Sequence, residues 1–284
     1  MAAAVHLALP EPLSSAAAEV LAAAGVEHVT HGAADPVGAA ASAVEAGAVA
    51  LLGPFRSADV AEAVEATAPA GLALLAPVAT WAGVTREDEP AGPDEPADHR
   101  GTVLRLVARD TEVAARLTAD LRRSGARALV VAGEHDYGRQ LDEQLSLAGL
   151  LRARGASDAG VVVLCGLTGE AEIEEAREAT GVPVVAFDGV EGADLGTGRE
   201  VRLALPFAPL DGAPFDHLVF GAEQARRGAR LVAHGLRSGA RDGAEVLAAA
   251  RAAGGFDEHG DPIDPPVWLW RADGGWALRA DRPL

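Results

Sequence analysis

The feature that most restricts this chain is a repeated alternation: a short apolar run, a turn, then a stretch whose apolar residues recur at helical spacing. The VHLAL run at 5–9 predicts a strand, followed by a helix over 14–24 and a second strand over 26–30. Asp35 and Pro36 supply an N-cap and a proline at the first helical position, opening a helix to about residue 46. Residues 48–52 predict a buried strand, Ser57 caps a helix over 58–67, and 71–75 predict the next strand. Beyond residue 100, 103–107 are extended, and Asp110 caps a helix ending near Gly125. Residues 128–132 predict a strand and 138–154 a helix. Strands over 161–164 and 182–187 flank a helix over 170–179. Helices over 215–235 and 242–253 follow, and the tail pairs 267–271 with 276–279 across an Asp273-Gly274-Gly275 turn. Strands alternating with helices of ten or more residues make βαβ units and parallel sheets, an α/β fold.

At 284 residues the chain exceeds one average domain, and its 49% apolar content fills one large core or two modest ones. Aromatics are only 4% of it, so the core must be built by close packing of small side chains. The net charge of −18 repels a phosphate backbone or an anionic membrane. Arg122, Arg123 and Arg127, like Arg226, Arg227 and Arg230, stand at helical spacing beside acids and read as solvated helix faces. The single cysteine, Cys165, excludes an internal disulfide and reads as a buried, inert thiol. No stretch reaches the roughly 20 apolar residues that span a bilayer. Residues 1–9 lack the basic start and long apolar run of a secretory leader, which predicts a cytoplasmic protein, or an extracytoplasmic one if a leader precedes this chain. The acidic, proline-rich segment 86–100 reads as a mobile surface loop.

In parallel sheets, ligands bind beyond the carboxyl ends of the strands, where loops meet helix N-termini. After Leu52 comes Gly53-Pro54-Phe55-Arg56-Ser57, where Ser57 either caps the helix or helps hold a carboxylate. After Leu75 comes Pro77-Val78-Ala79-Thr80, small residues with one hydroxyl. After Ala132 comes the only tyrosine, Tyr137, placed to stack on a ligand or to pack. After Phe187 comes Asp188, which either pairs with a ligand ammonium or makes an Asx-type turn.

Taken in order, these loops resemble the leucine/isoleucine/valine-binding periplasmic proteins, the type I solute-binding family. The matching text is Asp35-Pro36, the turn from Leu52 to Ser57, Pro77-Val78-Ala79-Thr80 with Val84-Thr85, and Leu104-Arg105-Leu106 with Asp110. Asp136-Tyr137-Gly138 and Phe256-Asp257 with Gly260-Asp261 complete it, so the resemblance covers nearly the whole chain. It implies two Rossmann-like lobes with parallel sheets joined by a three-crossover hinge: 1–106 with 207–264, and 107–206 with 265–284. It further implies that Ser57, Ala79 and Thr80 receive a ligand's α-carboxylate, that Tyr137 and Phe215 lie against the ligand, and that Asp188 holds the α-ammonium. The implied function is binding of a small amino-acid-like solute for an ABC-type uptake system, with a transporter permease as partner, and no cofactor, metal or catalysis. A cytosolic ligand sensor of the same fold, or a member that has lost binding, is the alternative. The chain departs from the family's pattern at Pro10-Glu11-Pro12-Leu13-Ser14-Ser15, and it has no aromatic near Leu167-Thr168.

The usual catalytic signatures do not form. Gly235-Leu236-Arg237-Ser238-Gly239 has the wrong spacing for a nucleophile elbow, and no glycine-rich phosphate loop follows the first strand. His28 and His31 flank a strand end without evident partners. The run from Asp257 to Asp261 reads as an acidic turn or as a divalent metal loop.

Overall fold

The computed structural model describes residues 4–85, 102–133, 135–166, 169–187, 200–210, 217–274 and 277–284. In chain order the elements are β1 (Val5–Ala8), α1 (Leu13–Ala23), β2 (His28–His31), α2 (Pro36–Glu45), β3 (Ala50–Leu52), α3 (Ser57–Thr67), β4 (Ala73–Ala76) and β5 (Val103–Arg105). Then come α4 (Asp110–Ser124), β6 (Ala128–Ala132), α5 (Asp136–Leu147), β7 (Val161–Cys165), α6 (Glu170–Thr180), β8 (Val184–Ala186) and β9 (Val201–Leu205). The chain ends with α7 (His217–Arg237), α8 (Gly243–Ala252), β10 (Trp268–Gly274) and β11 (Ala277–Pro283). These elements form two compact units, Met1–Arg109 with Asp216–Pro265, and Asp110–Phe215 with Pro266–Leu284, so the chain passes between units three times.

In unit 1 a five-stranded parallel sheet runs in the order β2-β1-β3-β4-β5. Because strand residues point alternately to opposite faces, each face builds its own core. Val5, Leu7, Leu52, Leu75 and Leu106 pack with Leu13 and Leu21 of α1, Val232 of α7 and Val246 of α8. Leu51, Leu74 and Ala76 lie on the other face with Ala40 and Ala43 of α2 and Val60 and Val64 of α3. The helices meet the sheet largely through alanine: Ala16, Ala17, Ala225 and Ala229 on one face, Ala39, Ala40, Ala43 and Ala63 on the other. Each buried leucine then contributes about 1.5–3 kcal/mol.

One polar pair interrupts this core. Alternation puts His6 on the face of Ala8, where it is 3% exposed, and its Nδ1 lies 2.8 Å from His31 Nε2. The strand-end histidine that the sequence left without a partner therefore has one, set by the β1–β2 register. His6 Nε2 has none among the described residues. Burial first, and then His31, hold the His6 pKa below the usual imidazole value. A histidine lowered in this way stabilises the fold in its neutral form, fully above about pH 6.5. That stability is lost as the pH falls through the lower folded value. Wild type should therefore lose more melting temperature between pH 7.5 and 5 than His6→Leu does. Parallel pH profiles for the two proteins would remove His6 from the account.

Unit 2 holds a six-stranded sheet, order β11-β10-β9-β8-β7-β6, parallel from β6 to β9 and antiparallel beyond. Its first half repeats unit 1 in reduced form. Where β2 runs beside β1 in unit 1, residues 151–153 make only a single bridge to Ala128. Where α2 follows β2, there is one 3-10 turn, Ala156–Asp158. The β6 edge is correspondingly open, with Val131 47% exposed.

Several expectations need correction. The helix expected to reach residue 154 ends at Leu147, because Gly149 takes a positive φ of 79° just past its end and turns the chain back toward β6. Strand β9 was not anticipated. Arg227 is no solvated surface group: its guanidinium lies 5.5 Å from the Phe256 ring centroid and donates to Leu106 O at 3.1 Å. Desolvation first, and then Arg230, lower its pKa. The acidic segment 86–100 and residues 167–168 lie outside the described residues.

Candidate functional site

The turn after β3 is fixed by close backbone approach. Gly53 has φ 109°, donates its N–H to Leu75 O at 2.9 Å, and would place a Cβ 2.4 Å from Ala8 O. Only glycine fits there, and the chain then enters α3. Ser57 does not cap that helix. The N-cap position belongs to Arg56, Ser57 is already helical, and its Oγ accepts the Trp81 N–H at 3.3 Å. The hydroxyl thus spans the loops after β3 and β4, and it keeps its own proton available to donate.

The loop after β4 is held from inside by Arg105, at the end of β5. This side chain is fully buried and donates to Ala79 O at 2.8 Å, Trp81 O at 2.6 Å, Thr85 Oγ1 at 3.0 Å and Asp261 Oδ1 at 3.0 Å. Thr85 Oγ1 also donates to Asp261 Oδ1 at 2.7 Å, and Arg109 approaches Asp261 Oδ2 at 3.4 Å. Asp261 comes from a tight turn in which Asp257 Oδ1 accepts the N–H groups of His259 and Asp261. The run from Asp257 to Asp261 is thus a structural turn whose last carboxylate balances a buried guanidinium. Among the described residues no group of three or more histidine, cysteine, aspartate or glutamate side chains is arranged to hold a metal ion.

Thr80 lies between the two carbonyls that Arg105 captures. It is 7% exposed, yet neither its backbone N–H nor its hydroxyl has a partner among the described residues. Next to the Ser57–Trp81 bond, the Thr80 N–H and hydroxyl therefore remain available to an acceptor from outside the protein. Ala79 is buried and takes part through its backbone. Ser57, Ala79 and Thr80 are therefore brought together within unit 1.

In unit 2, Tyr137 is half-buried in the first turn of α5. The next residue explains the local shape: a Cβ on Gly138 would lie 2.7 Å from Cys165 O and 2.9 Å from Gly133 N. Glycine lets the start of α5 rest on the end of β7, and this fixes where Tyr137 stands. Cys165 is buried, and desolvation above all pushes its thiol up to about 12, so it is inert at neutral pH. Asp188 and Phe215 lie outside the described residues.

Sequence reasoning missed Thr85, Arg105 and Asp261 as site supports. The available signal was Arg105 itself, a charge in the apolar run VLRLV. A buried strand tolerates a guanidinium only with a carboxylate and further acceptors around it.

Neither a family model nor a curated protein sequence matches the chain. Solved structures do. An ABC transporter substrate-binding protein from Desulfitobacterium hafniense, in complex with Leu, superposes with a TM-score of 0.74 at 18% identity, covering 99% of this chain and 100% of that one. The branched-chain amino acid transporter substrate binding protein from Streptococcus pneumoniae, in complex with isoleucine, gives 0.69 at 15% identity, with 100% of both chains covered. A solute binding protein from R. palustris, in complex with benzoate, gives 0.69 at 14% identity, covering 100% of this chain and 96% of that one. The chain has the type I periplasmic binding-protein fold.

Proposed function

We propose that this protein binds a small amino-acid-like carboxylate without transforming it, as the substrate-binding component of an ABC-type uptake system working outside the cytoplasm. The observation that carries the reading is Thr80: a nearly buried residue whose N–H and hydroxyl are both unspent, beside the Ser57 hydroxyl, at the carboxyl ends of β3 and β4. Three neutral donors, on the first residue of α3 and on the loop after β4 that it is bonded to, suit an anion, since hydrogen bonds to a charged acceptor are about twice as strong as neutral ones. A carboxylate is the anion that a solute-binding protein for amino acids or aromatic acids would meet there. Tyr137, Asp188 and Phe215 are proposed to contact the rest of the ligand, Asp188 meeting an ammonium where one is present.

Thermal-shift screening against amino acids, their amides and aromatic acids tests this directly. Ligand at about 100 times its dissociation constant adds about 2.7 kcal/mol to the stability of the folded protein, a clear rise in melting temperature. The hit should weaken in Tyr137→Ala and Asp188→Ala while the unliganded proteins melt near wild type. A folded protein that no carboxylate in the panel stabilises would end the proposal.

A further inference from the structure

We propose that Arg105 is a positioning residue for the ligand carboxylate: by drawing two carbonyls of the β4 loop inward, it turns the Thr80 N–H outward. The inference rests on the reading above, that unit 1 receives the carboxylate. The argument is one of peptide geometry. Apart from Glu11-Pro12 and Gly53-Pro54, the described peptide bonds are trans, and in a trans peptide the N–H points opposite to the C=O of the preceding residue. Arg105 Nη1 holds Ala79 O at 2.8 Å, and Nη2 holds Trp81 O at 2.6 Å. The Thr80 N–H, sharing a peptide plane with Ala79 O, therefore points away from the guanidinium and has no internal partner.

The planar fork suits this work, because it reaches two carbonyls of one loop at once and its position is set by Asp261 and Thr85. Without it, the backbone of residues 79–81 is free to rotate its peptides, and the donors lose their common direction. A lysine carries the same charge but no fork, so it cannot hold both carbonyls in one plane.

The test compares acid with amide, because orientation of N–H donors matters most for a charged acceptor. Isothermal titration of leucine against leucinamide, and of benzoate against benzamide, gives an acid-to-amide affinity ratio for each protein. Wild type should prefer the acid of at least one pair. Arg105→Lys should lower that ratio about tenfold or more. Thr85→Val keeps the guanidinium but removes one of its supports, and should lower the ratio severalfold. A residue that only maintains the fold would weaken both members of a pair together, so an unchanged ratio in folded Arg105→Lys overturns the proposal. If that variant does not fold, an unchanged ratio in Thr85→Val overturns it instead. Wild type binding an acid no better than its amide refutes the carboxylate reading itself, and the positioning role with it.

Discussion

Asp261→Ala is expected to destabilise the protein by about 3–5 kcal/mol, because it removes the carboxylate that lies 3.0 Å from a fully buried guanidinium. At about 2–4 °C per kcal/mol for a domain of 150–250 residues, the melting point should fall by roughly 6–20 °C, and the urea midpoint should move with it. The loss is large because Arg105 cannot find water: it is 0% exposed, and Asp261 itself is 3% exposed. Arg109 stands 3.4 Å from the other carboxylate oxygen, so the same substitution leaves two cations facing the vacated position. A loss below about 1 kcal/mol in Asp261→Ala, by calorimetry or urea titration, would show that the other partners of Arg105 suffice without the carboxylate.

The same network shows where a sequence is readable and where it is not. Ala50, Leu51 and Leu52 form an unbroken apolar run because β3 is buried on both faces, and such runs between helical stretches give the α/β class directly. Strand β9, VRLAL, is no less apolar than the run at 103–107 and carries one arginine, Arg202. In the folded chain that arginine is only half-buried, with Asp281 of β11 at 3.4 Å. The end of α5 was misplaced because leucines and arginines continue past Gly149 at a spacing that imitates a helix, and the glycine's stop signal was outvoted.

The candidate site was legible as loops and not as bonds. Ser57, Ala79 and Thr80 could be singled out because they follow strands. That the Ser57 hydroxyl would go to the Trp81 N–H, 24 positions away, could not, since a serine before a helical stretch ordinarily caps it. The pairing of Arg105 with Asp261 spans 156 positions, and its meaning depends on the Asp257 turn delivering a carboxylate beneath β5. The His6–His31 contact likewise depends on strand register, which local pattern does not set for an edge strand such as β2.

Removing the side-chain donors of unit 1 should weaken ligand binding strongly without unfolding the protein. In Ser57→Ala with Thr80→Val two hydroxyls are lost, each worth about 1.5–3 kcal/mol toward a charged acceptor. The two residues are near neighbours, so the losses will not simply add, and a drop in affinity of about 100- to 1,000-fold is expected. Stability should change far less. Valine matches threonine in shape at a position where the hydroxyl has no internal partner, and Ser57 is half-buried, losing one bond of 3.3 Å to Trp81. Titration of the carboxylate that stabilises wild type most strongly, alongside melting curves of both proteins, separates the two effects. If the double variant binds as wild type does, the carboxylate lies elsewhere in the molecule, and the unspent donors of Thr80 serve another end.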